Sequence, residues 1–72
     1  MSKNRREKLA SEIKGTEERI RSLEGELAAI EAEFSNPDPG RDWAELHRRH
    51  ADIQKSLEGL YSQLAQLSEL LG

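Results

Sequence analysis

Cysteine is absent, aromatic residues make up only 4% of the chain, and no apolar stretch approaches the roughly 20 residues of a membrane span. Without cysteine there is no disulfide framework and no thiolate metal site, a composition that fits a reducing compartment. Lys3, Arg5, Arg6 and Lys8 are not followed by the apolar core of a signal peptide. The expected location is therefore the cytoplasm, with no membrane partner. At 72 residues the chain is one small domain with no room for a core that encloses a substrate. It also lacks a phosphate-cradling glycine loop and a nucleophile with its base, so no residue is read as catalytic. The chain is expected not to be an enzyme by itself and to carry no cofactor.

What is present is charge and regular apolar spacing. Charged residues make up 35% and hydrophobic residues another 35%, rich in Glu, Arg, Leu and Ala, a balance of long solvated helices. Starting at Leu9, the positions Leu9, Ile13, Thr16, Ile20, Leu23, Leu27, Ile30 and Phe34 alternate steps of four and three without a break. That is a heptad repeat with Ile13, Ile20, Leu27 and Phe34 at a, and with Leu9, Thr16, Leu23 and Ile30 at d. A second repeat places Trp43, His50, Leu57, Leu64 and Leu71 at a and Leu46, Ile53, Leu60 and Leu67 at d. Between them, Ser35-Asn36-Pro37-Asp38-Pro39-Gly40-Arg41 breaks the helical pattern, with two prolines and a Gly40 that permits positive φ. Asp42 and Glu45 have the spacing of a capping box, in which Glu45 reaches back toward the cap.

The spacing predicts an all-α fold, a two-helix antiparallel coiled-coil hairpin over residues 1–72. Its helices run from about residue 5 to 34 and from about 42 to 71, with the turn at 35–41. Layering a against d sets Phe34 against Leu46, Leu27 against Ile53 and Leu9 against Leu71; a slip of one heptad is the alternative. The e and g positions of the first helix are Glu12, Glu17, Arg19, Glu24, Glu26, Glu31 and Glu33, which would repel a parallel copy. The second helix offers His47, Arg49, Gln54, Ser56, Tyr61 and Gln63, so Glu33 is expected near Arg49 and Glu31 near His47.

Charge is polarised: residues 1–22 hold seven basic and four acidic groups, and residues 23–72 hold four and ten, within a net charge of −3. Lys3, Arg5, Arg6 and Lys8 at the open end, and Arg41, Arg48 and Arg49 with His47 near the tip, are the candidate nucleic-acid-binding residues. Such groups neutralise phosphates without reading sequence. The basic first turn opposes the helix dipole, so it is not a helix-stabilising device. His47 and His50 could share a metal with Asp42 or Glu45, but His50 sits at a seam position with His47 beside it, which favours a polar seam residue that fixes register, and no metal is expected. Phe34 and Trp43, both at a, are expected to close the seam over the turn.

The stretch from Glu12 to Leu67 resembles the C-terminal domain of ABC-F proteins, soluble tandem-ATPase members of the ABC superfamily that act on ribosomes. Glu12-Ile13, Glu17, Ile20, Leu23-Glu24, Leu27, Phe34 and Pro37 carry the outgoing half of that pattern, and Leu60-Tyr61 and Leu67 the return, with Leu64 where the family has a tryptophan. The chain is also similar to the C-terminal arm of valyl-tRNA synthetases, which share the Ser35-Asn36-Pro37 turn but continue with an Ala-Pro and valines absent here. The first resemblance implies a non-catalytic appendage that contacts RNA, the ribosome or DNA, with ATP-binding cassettes upstream of this chain. The second resemblance implies a tRNA-binding arm, and the alternative from a different class is a protein-interaction or oligomerisation coiled coil, a weak homodimer formed through Tyr61, Leu70 and neighbouring alanines.

Overall fold

A computed structural model, which describes residues 2–36 and 38–72, shows two helices in a rod of 57 × 14 × 14 Å. Helix α1 spans Lys3–Phe34 and α2 spans Trp43–Leu71. They pack against each other along their length as an all-α hairpin. Helix α1 starts at Lys3 rather than near Arg5 because Ser2 caps it: the Ser2 hydroxyl oxygen accepts the Arg5 amide at 3.3 Å. No acidic residue stands in the first turn of α1, so the Ser2 hydroxyl is what offsets an orphan donor there, while the Arg6 amide makes the first regular helical bond, to the Ser2 carbonyl.

Every apolar residue of the continuous core holds a predicted a or d position. Ile20, Ile30, Leu46, Ile53, Leu57 and Leu60 form the buried cluster, with Leu23, Leu27, Phe34, Trp43 and Leu64 packed on it. Contacts on the flanks establish the antiparallel direction, since Glu26 meets Arg49 (g to g) and Glu24 meets Tyr61 (e to e); a parallel pair would join e to g. The Phe34 ring contacts Trp43, His47 and His50, which straddle Leu46, its expected layer partner. A slip of one heptad would set Phe34 against Pro39 or Ile53 instead.

Thr16, the polar intruder at d, is 5% exposed and its hydroxyl donates to the Glu12 carbonyl at 2.8 Å. Its polar group is thus satisfied within its own helix, so the seam carries no unpaired donor there. Leu9 is also buried, yet it stands apart from the continuous cluster, beyond Thr16 toward the open end.

The reversal differs from expectation in how it is built. Pro37, expected to help break α1, lies outside the described residues. Gly40 does not use the left-handed region; among the described residues only Gly72 has a positive φ. Asp38 makes the turn instead. Its carboxylate accepts the Gly40 amide at 2.9 Å and its carbonyl accepts the Arg41 amide at 3.1 Å, an Asx turn inside a four-residue reversal with Pro39 at its second position. The same carbonyl accepts the Trp43 indole N–H at 3.0 Å, so the aromatic lid over the seam is also bonded to the turn. The capping box is half formed. Asp42 accepts the Glu45 amide at 3.1 Å, but the Glu45 carboxylate is held by Arg48 and does not return to the cap.

Candidate nucleic-acid interface

The seven candidate cations form two groups at opposite ends of the rod, too far apart to act as one patch. At the tip every arginine already has a carboxylate. Arg41 bonds Glu33, Arg49 lies 3.5 Å from Glu26, and Arg48 bonds Glu45 through Nε at 3.1 Å and Nη2 at 2.5 Å, with Asp52 3.6 Å away. The Glu45 hydrogen bond, followed by its charge, raises the Arg48 pKa above an already high value, so that guanidinium stays charged and occupied.

These pairings correct two expected ones. Glu33 meets Arg41 rather than Arg49, because the turn brings Arg41 back over the end of α1 and leaves Arg49 to the glutamate one heptad away. Glu31 meets His50 at 3.3 Å rather than His47, because the His47 ring stacks on Phe34, with centroids 4.5 Å apart and planes 18° apart. Both histidines thus pack on one aromatic ring, as parts of the seam and its lid. No group of three or more His, Asp or Glu among the described residues is placed to hold a metal.

The open end is different. Lys3, Arg5, Arg6 and Lys8 are exposed on the first turns of α1, and none has a carboxylate within ion-pair distance among the described residues. Arg5 and Lys8 border a shallow niche of about 240 Å³ with Leu9 and Glu12. Lys3, Arg5 and Arg6, on the first turn of α1, work against its dipole by roughly 0.3–1 kcal/mol each at low salt, and Lys8 adds a fourth like charge one turn on. They do so without a neutralising partner, so the arrangement presents positive charge to whatever approaches.

The separation of paired from unpaired cations was not visible in composition; the signal that could have found part of it is the Glu45-x-x-Arg48 spacing, which puts the two side chains on adjacent turns. No helix of the described chain is long and apolar enough to cross a membrane. No curated protein and no solved structure matches the chain. Residues 4–69 match the family described as the ABC transporter C-terminal domain, the first of the two resemblances read from the sequence and not the synthetase arm. The matched span runs from the first turn of α1 to the last turn of α2, and this chain belongs to the ABC transporter C-terminal domain family.

Proposed function

We propose that the hairpin is a non-catalytic appendage of an ABC-F-type ATP-binding protein and that it contacts the phosphate backbone of RNA or DNA, including ribosomal RNA, through its open end. The observation that carries this reading is the contrast between the two basic groups. Lys3, Arg5, Arg6 and Lys8 are exposed and have no ion-pair partner among the described residues, whereas Arg41, Arg48 and Arg49 each spend their charge on a carboxylate. A phosphate approaching the tip must displace Glu33, Glu45 or Glu26, and one approaching the open end displaces only water and counterions. The rod then acts as a spacer, stiffened by its seam.

Family membership supports an accessory role beside an ATPase, and the acidic net charge of −3 restricts any phosphate contact to a local patch. The test is affinity for RNA and duplex DNA across a salt series. Four phosphate contacts predict a log–log salt slope of about −3 to −4 on duplex DNA. Reversing Arg5, Arg6 and Lys8 to Glu is expected to abolish binding, while reversing Arg41, Arg48 and Arg49 weakens it far less. Absence of binding at low salt, or equal loss from both sets, would sink the proposal.

A further inference from the structure

The two flanks of the seam are unlike. On the g side Glu26 and Glu33 are neutralised across the interface by Arg49 and Arg41. On the e side, Glu17, Glu24 and Glu31 face His47, Gln54, Tyr61 and Ser68, and neither helix contributes a Lys or Arg to that flank between Glu17 and Glu31. Glu24 accepts the Tyr61 hydroxyl at 2.5 Å, Glu31 meets His50, and Glu17 has no ion-pair partner among the described residues. Lys14 and Arg21, one column further out on α1, make no ion pair within 4 Å with these carboxylates.

The same flank carries an open groove. Leu27, Gln54, Leu57, Glu58 and Tyr61 line about 360 Å³ between the helices, and Tyr61 is 46% exposed, held upright by its bond to Glu24. The groove therefore has an apolar floor from both helices, an aromatic wall and a rim of carboxylates.

We propose that this flank is the docking surface for a basic α-helix of another protein, which lies along the seam as a third strand of the coiled coil. Charge complementarity selects the occupant. Glu17, Glu24 and Glu31 recur every heptad, about 10.5 Å apart along α1. A helix laid beside them matches that spacing with Lys or Arg at every seventh position and places an apolar residue between these cations in the groove. Flanking charges of this kind decide which helices pair in coiled coils. They select against a second copy of this chain, whose own net charge is −3, whose α1 flanks are mostly acidic and whose α2 flanks offer no basic group besides His47 and Arg49. They also select against nucleic acid, so this surface is separate from the open end and does not rest on the phosphate-binding reading.

The experiment uses the isotopically labelled full chain and, as probe, a synthetic helical peptide with Lys every seventh residue and Leu at the intervening apolar positions. At low salt the peptide should shift the amide resonances of Leu27, Gln54, Glu58 and Tyr61. Substituting Glu17→Lys, Glu24→Lys and Glu31→Lys together should weaken binding by roughly tenfold or more, as loss and reversal of three exposed pairs requires. Tyr61→Ala, which leaves the charges in place, should weaken it as well. The control variant Glu7→Lys, Glu18→Lys and Glu69→Lys changes net charge equally and should bind almost as before; circular dichroism confirms that each variant keeps its helices. Shifts that map to the g flank or the open end, equal losses in both triple variants, or an unliganded chain whose mass doubles while the same residues shift would each overturn the proposal.

Discussion

The half of the hairpin near the turn and the half near its open end follow one heptad pattern but are built differently. Toward the turn the seam is a continuous apolar cluster from Ile20 to Leu60, closed by Phe34 and Trp43, capped by Asp42 and crossed by ion pairs at Glu33 and Glu26. Toward the open end Thr16 interrupts the cluster. Leu9 is buried beyond it, while Ile13, Leu67 and Leu71 are only half-buried, and among the described residues no ion pair links the helices there. Stability is thus concentrated at the end whose charges are spent, and accessible charge at the end that is loosely held. The difference teaches that a uniform seam pattern does not imply uniform local stability.

The largest expected effect tests that asymmetry directly. Leu57 is 5% exposed and inside the cluster, whereas Leu9 is 7% exposed and outside it. Leu57→Ala should cost about 2–5 kcal/mol, enough to remove most of the stability of a domain this small. Leu9→Ala creates its gap where neighbours can relax into it, and it should cost clearly less and speed amide exchange chiefly in the first turns of α1. Urea denaturation followed by circular dichroism gives the first quantity and hydrogen exchange the second. Equal losses at the two sites would mean that the core is continuous and the comparison fails.

What was legible in the sequence follows the same division between backbone period and side-chain choice. The seam, the antiparallel direction and the layer of Phe34 on Leu46 follow from the spacing of apolar residues, because only one face of each helix can be buried at once. The start of α1 at Lys3 is not signalled as clearly, because Ser2 has no acidic residue three positions on and the usual two-part capping signal is absent. The partners of the tip cations were not legible. Arg49 has a glutamate within a turn on either side, at Glu26 and Glu33, and the choice depends on where the turn delivers Arg41. That position in turn depends on the Asp38 carboxylate and carbonyl, a local hydrogen-bond solution that heptad arithmetic does not contain.

A middle-sized effect would sharpen the comparison. A methyl group added at Gly15, Gly25 or Gly59 meets no atom within 4 Å, and all three lie inside helices. Each Gly→Ala substitution should therefore stabilise by about 0.5–1 kcal/mol. Gly25 and Gly59 lie within the span of the cluster and should raise the urea midpoint in full. Gly15→Ala, next to Thr16, should show less of its gain in the global transition and more in slower exchange of the amides around it. Three identical midpoint shifts would indicate that the rod melts as one unit.

The smallest effect concerns pH and the single aromatic on the e flank. Hydrogen bonding to Glu24, followed by partial desolvation and by the charge of Glu24, raises the Tyr61 pKa above its ordinary value. The folded state thus holds the phenolic proton more tightly than the unfolded chain. The contribution is complete below the ordinary tyrosine value near pH 10 and is lost as the pH rises through the raised folded value, where tyrosinate and the Glu24 carboxylate repel. Because Tyr61 is exposed, solvent screens the pair and the loss in stability should be small. Following tyrosinate absorbance through alkaline pH should give a higher midpoint for the native chain than for Glu24→Gln, with the hairpin still helical at both. Coincident midpoints would show that the Tyr61 hydroxyl is not held by Glu24 in solution, and the aromatic wall of the e-flank groove would then be free to swing away from it.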